Sequence, residues 1–145
     1  MRPVSLMKYW LPVIAVMGFI YWMSTGLFTA AHTFVAIRAI VDFFRPLTSG
    51  RELRTLNYAV RKFAHTFEYF ILGLMLFRAF RGGASSKRGV LMCAVFSVLG
   101  VAFYAFTDEF HQMYVPGRGG GEISDVGIDT MGGALAQIVS VIWHR

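Results

Sequence analysis

GVLMCAVFSVLGVAFYAFT, residues Gly89–Thr107, runs for nineteen residues without one charged side chain. As a helix rising 1.5 Å per residue it extends about 28 Å, close to the roughly 30 Å of a bilayer's hydrocarbon layer. Backbone in lipid must satisfy its own hydrogen bonds, so the stretch reads as a transmembrane helix and decides the fold class. Composition agrees: the 145-residue chain is 56% hydrophobic with a mean hydropathy of +0.55, too apolar for an ordinary soluble domain and short enough for a single one, residues 1–145.

Working outward, three more segments qualify. No Asp, Glu, Lys or Arg lies between Lys8 and Arg38, and Trp10–Phe28 is the expected first span. Ala30-Ala31 leads into further apolar residues where a cleaved signal peptide would turn polar, so this segment is expected to stay as an anchor. The second span is expected at about 62–80 and the fourth at about 124–143. The fold class is therefore an all-α integral membrane protein with four transmembrane helices.

The 33 residues between the first two spans are too many for a simple turn. Phe34, Ile37, Ile40, Val41 and Phe44 share one helical face, with Arg38, Asp42 and Arg45 turned away, which predicts an amphipathic helix lying in the membrane interface. Pro46 ends it. Ser49-Gly50-Arg51-Glu52 has capping-box spacing and starts a helix that runs through Asn57 into the second span.

Seven lysines and arginines fall on each side of such a four-span chain. The tight basic loop Arg81–Arg88 breaks the tie, because cations in short loops beside spans count most; both termini are expected in the cytoplasm. Basic residues at span edges suit anionic lipid head groups, so the net charge of +6 is no argument for a nucleic-acid partner.

Against this background the charged groups inside or beside apolar segments stand out, since each carboxylate at the bilayer centre costs roughly 2.5–3.5 kcal/mol. In the second span Lys62, His65 and Tyr69 stack along one stripe, with Glu68 at its edge. After the third, Asp108, His111 and Gln112 share a side, while Glu109 diverges by about 100° and is expected to face the interface, towards Arg118 or Lys62. Tyr114–Gly121 is a proline- and glycine-rich turn whose amides, beside Arg118, can receive an anion such as a phosphate. Ser124 is positioned to cap the fourth helix, and Asp125 in its first turn suits the helix dipole. Asp129 lies one turn deeper, where neither cap nor solvent accounts for it. Gly132, Gly133 and Ala136 offer a small-residue face for close helix contact. Cys93, the lone cysteine, reads as a buried apolar residue. Topology puts all three polar clusters at one membrane face.

The ordered series Arg61-Lys62-x-x-His65-x-x-Glu68-Tyr69, Tyr104-Ala105-x-x-Asp108-Glu109-x-His111-Gln112, Pro116-Gly117-Arg118 and Asp125-Val126-x-Ile128-Asp129-Thr130-x-Gly132 resembles the VanZ-like family. The run from Arg118 to Asp125 is about one glycine longer than the family pattern. The resemblance implies a small bacterial integral membrane protein whose founding relative is associated with resistance to teicoplanin, a lipid-bearing glycopeptide. It supplies no established reaction.

Two functions fit the residues, beside a third reading in which they form internal ion pairs that only fix helix order. In a hydrolase or transferase, His65, Glu68, Asp108, His111 and Asp129 are the catalytic candidates. They act either around a divalent metal ion that acidifies a water or as a histidine–carboxylate base, with Lys62 and Arg118 stabilising the developing anion. In a binding protein, Lys62 and Arg118 take phosphate or carboxylate and the acids take amines or sugar hydroxyls; Tyr69, Gln112 and Asp125 complete the binding set. The expected partner in either case is a membrane lipid or a lipid-linked cell-wall molecule. No strict ligand spacing supports the metal.

Overall fold

A computed structural model describes residues 3–45, 49–82, 87–118 and 120–143. Pro46, the loop residues 83–86 and both chain ends, which carry part of the orientation signal, lie outside the described residues. Among the described residues five α-helices follow one another: α1 (Pro3–Met23), α2 (Ala30–Phe44), α3 (Gly50–Arg81), α4 (Lys87–Gln112) and α5 (Ile123–Trp143). A short 3-10 turn, Gly26–Phe28, joins the first two. Among the described residues there are no strands.

Helices α3, α4 and α5 are long and apolar enough to cross a membrane. In α1 the apolar part, Met7–Met23, is shorter. The expected first span, 10–28, is thereby corrected, since helix stops at Met23. Ser24 and Thr25 leave it through backbone bonds to Ile20, Tyr21 and Trp22, and Thr25 is extended. The capping box at the start of α3 forms as expected: Glu52 N–H donates to Ser49 Oγ at 3.2 Å, and Ser49 N–H donates to Glu52 Oε2 at 3.1 Å. At 32 residues α3 is about 48 Å long, so it outreaches any bilayer core.

The core gathers Val13 and Ile20 from α1, Tyr69, Leu72 and Leu76 from α3, and Val101 and Ala105 from α4. In lipid such packing depends on close approach more than on water exclusion. Small residues supply it. A Cβ on Gly132 would collide with the carbonyl oxygen of Thr66, and one on Gly73 would sit 3.0 Å from both Ala136 Cβ and Gly133 Cα. Helix α5 therefore lies tightly in the angle between α3 and α4. Gln137 Nε2 ties the seam at depth, donating to the carbonyl of Gly73 at 3.1 Å. Cys93 is buried and free, as expected.

Among the long helices, α2 packs mainly against α3. Phe34, Ile37 and Val41 are partly covered, whereas Ile40 and Phe44 of the same predicted face are left open by protein. Arg38 and Asp42 pair on the opposite side at 3.3 Å.

Candidate functional site

The exit from α1 leaves a string of carbonyls without helical partners. Cationic and amide side chains collect there. Arg118, in the turn after α4, donates through Nη1 to the carbonyls of Met23 at 2.5 Å and Phe28 at 3.1 Å. Arg61 donates to Phe28 from the other side at 2.8 Å, and Asn57 holds the carbonyl of Ala30 at 3.0 Å. The guanidinium fork of Arg118 also reaches Gln112 Oε1 at 3.2 Å through Nε, and Nη2 stands 3.3 Å from His65 Nε2. Gln112 in turn donates to Asp108 Oδ2 at 2.7 Å, an oxygen that also accepts from Ser24 Oγ at 2.9 Å. One network thus binds the ends of α1 and α4 to α3. Burial draws the Arg118 pKa downward, as does the neighbouring Arg61, against the pull of Asp108, Glu68 and Glu109.

Above this network lies a cavity of about 180 Å³. Its basic wall is Arg61, Lys62 and Arg118, with His65 between them; its acidic wall is Glu109, Glu122, Asp125 and Asp129. Lys62 Nζ pairs with Asp125 Oδ1 across α3 and α5 and lies 5.4 Å from the centre of the Tyr58 ring. Asp129 is 4% exposed and makes no hydrogen bond among the described residues, so its carboxylate is open to a ligand.

Six of the sequence candidates therefore meet: Lys62, His65, Gln112, Arg118, Asp125 and Asp129 line the cavity. Four do not. Glu68 sits below it, 3.7 Å from His65 Nδ1, along apolar grooves. Asp108 is behind Gln112. Tyr69 is wholly buried in the core near Tyr104. His111 turns to the Tyr21 ring, with centroids 4.7 Å apart.

Glu109 shares the cavity with Arg118 and Lys62, the neighbours expected for it, but it does not face the interface. It is buried, and Gly121 N–H donates to its Oε2 at 2.6 Å. The glycine turn thus does receive an anion, but the protein's own. Gly117 and Gly121 adopt φ of 77° and 96°, which glycine alone takes without strain. Ser124 is not the cap of α5: the helix starts one residue earlier, and the Ser124 hydroxyl donates to Glu122 Oε2 at 3.4 Å. Among the described residues no three histidine, cysteine or acidic side chains are grouped to hold a metal ion, since His65 and His111 point to different neighbours. Sequence reasoning left Arg61, Glu109 and Glu122 out of the cavity and Ser24 out of the network beneath it. Arg61 had a signal, lying four residues before His65 on its stripe; Ser24 had only its place at the end of an uncharged run.

These features define a class: a helical bundle of membrane-crossing length with a polar, mixed-charge cavity at one end. Within that class, the chain belongs to the VanZ/LLP1 family, whose model matches residues 9–144, nearly its whole length. No curated protein and no solved structure matches it.

Proposed function

We propose that this is a protein of the bacterial cytoplasmic membrane that binds, at the outer face, the polar head of an amphiphilic or lipid-linked cell-envelope molecule. The observation that carries the reading is the cavity itself, which sets Arg61 and Lys62 opposite Asp129 and Glu122 in a bundle otherwise walled by apolar residues. Desolvated charges are costly at membrane depth and tend to mark ligand paths. A head group bearing phosphate or carboxylate together with an amine or hydroxyls satisfies both walls. In this reading α1 is a fourth crossing, α2 lies in the interface, and both termini are cytoplasmic.

Membership of the family extends the proposal to tolerance of lipid-bearing glycopeptides of the teicoplanin type. Expression in a susceptible bacterium is expected to raise the growth-inhibitory concentration of such a compound and leave that of a glycopeptide without a lipid unchanged. Asp129→Asn and Lys62→Gln are expected to abolish the gain at equal membrane abundance. A gain that survives both variants overturns the reading.

A catalytic version has one observation in its favour: Glu68 stands behind the His65 imidazole, the arrangement of a carboxylate-oriented base. Against it, His65 Nε2 already faces Arg118. Turnover of a lipid-linked substrate by purified protein, lost in His65→Ala, would favour catalysis; binding retained in His65→Ala favours the head-group reading.

A further inference from the structure

We infer that the apolar groove between α2 and α3, continuing past Glu68 to α1, holds an alkyl chain of the amphiphile whose head occupies the polar cavity; the inference rests on the head-group reading above. The groove encloses about 250 Å³ and shares Arg61, His65 and Arg118 with the cavity as a common wall. Apart from these, Thr33 and Glu68, its lining is apolar, with Ala36 and Ile37 from α2 and Val60 and Ala64 from α3. A second space of about 280 Å³ meets it at Glu68, lined by Phe67 and Ile71 of α3 and by Val16 and Phe19 of α1.

Val60, Ala64, Phe67 and Ile71 are spaced four, three and four residues apart, so they form one stripe along α3. Eleven helical steps from Val60 to Ile71 make that track about 16 Å long. It leads away from the cavity, towards the part of α1 that precedes its exit turn, and so inward from the membrane face. A molecule seated with its head in the cavity and its chain on this track lies as it does in a bilayer.

The junction is marked by two buried polar atoms, His65 Nδ1 and Glu68 Oε2, neither of which has a hydrogen-bond partner among the described residues. They are 3.7 Å apart and stand where head gives way to chain. A polar linkage in the ligand, carrying a donor or acceptor, meets a need the protein leaves unmet.

The test uses the full chain in nanodiscs of phosphatidylglycerol and phosphatidylethanolamine, doped with a phosphatidylethanolamine carrying a diazirine in its acyl chain. After illumination, adducts are mapped by mass spectrometry. They are expected on Ala36, Ile37, Ala64 and Phe67 well above the level on Leu99 and Phe103, which α4 exposes elsewhere. Ala64→Trp and Ala36→Trp, on different helices, each fill the groove and are expected to cut this labelling about tenfold, because each displaces several methylenes of chain. Labelling spread evenly over all exposed apolar residues overturns the inference, whatever the variants do. In parallel, Ile128→Cys in a Cys93→Ala background reports the cavity through maleimide reactivity. Shielding of that cysteine by phosphatidylethanolamine without groove labelling overturns the chain site and leaves the head-group reading standing. Loss of both overturns both.

Discussion

Arg118 shows how one side chain can serve as architecture and site wall at once. Its guanidinium meets carbonyls of Met23 and Phe28, the Gln112 amide and the His65 ring, from four parts of the chain. A lysine ammonium is a point donor and cannot span that set. Arg118→Lys is expected to lower stability in detergent by about 2–3 kcal/mol, in keeping with the worth of hydrogen bonds to a charged group, read as a downward shift of the unfolding midpoint. An unchanged midpoint would show that the α1 exit does not depend on Arg118. That Arg118 belongs with Lys62 and His65 was legible in the sequence; that it faces carbonyls of α1 was not, because those partners lie about ninety residues away. Asp108 and Glu109 teach the same lesson. Helix phase separates them by about 100°, yet both are buried, since the α1 exit covers one and the returning glycine turn covers the other.

At the scale of elements, local chemistry set the boundaries that could be read in advance. The Ser49 capping box involves only four consecutive residues, and it starts α3 where expected. The end of α1 escaped because Ser24-Thr25-Gly26 breaks an apolar run that hydropathy alone reads as continuous; its turn is held by Asp108 and Arg118 from elsewhere. The seam of α5 makes a sharp contrast between glycines of one helix. Gly132→Ala drives a methyl into the Thr66 carbonyl and is expected to cost about 1–3 kcal/mol, as overpacking does. Gly127→Ala meets nothing within 4 Å and is expected to be neutral or up to about 1 kcal/mol stabilising, from helix propensity. Thermal unfolding of both in the same detergent checks the pair; equal losses would refute close α3–α5 packing at Gly132. The Lys62–Asp125 pair joins the same two helices with side chains 23% and 22% exposed. A double-mutant cycle with Lys62→Met and Asp125→Asn is expected to give a coupling of about 1 kcal/mol, and a coupling near zero would make the contact incidental.

For the whole molecule, the polar cavity and the acidic residues that line it lie at one end, so function is expected to depend on which side of the membrane that end faces. The proposed orientation, with both termini cytoplasmic, predicts that a fluorescent protein fused after Arg145 fluoresces and that alkaline phosphatase at the same point stays inactive. The reverse pattern would move the cavity to the cytoplasm and rule out contact with an external glycopeptide. The sequence by itself determined the helical class, the long apolar helices α3, α4 and α5, and the gathering of charged motifs at one end, because hydropathy, capping and the 3.6-residue period are properties of a single stretch of chain. Only the tertiary structure decided which of those charged groups meet. It turned His111 to Tyr21, buried Tyr69 in the core, set Glu68 below the cavity and opened Asp129 into it. The physical reason is that helix phase fixes directions only relative to one helix axis. Which neighbour a side chain meets depends on how closely Gly73, Gly132 and Gly133 let the helices approach, and on where the glycine turn returns the chain.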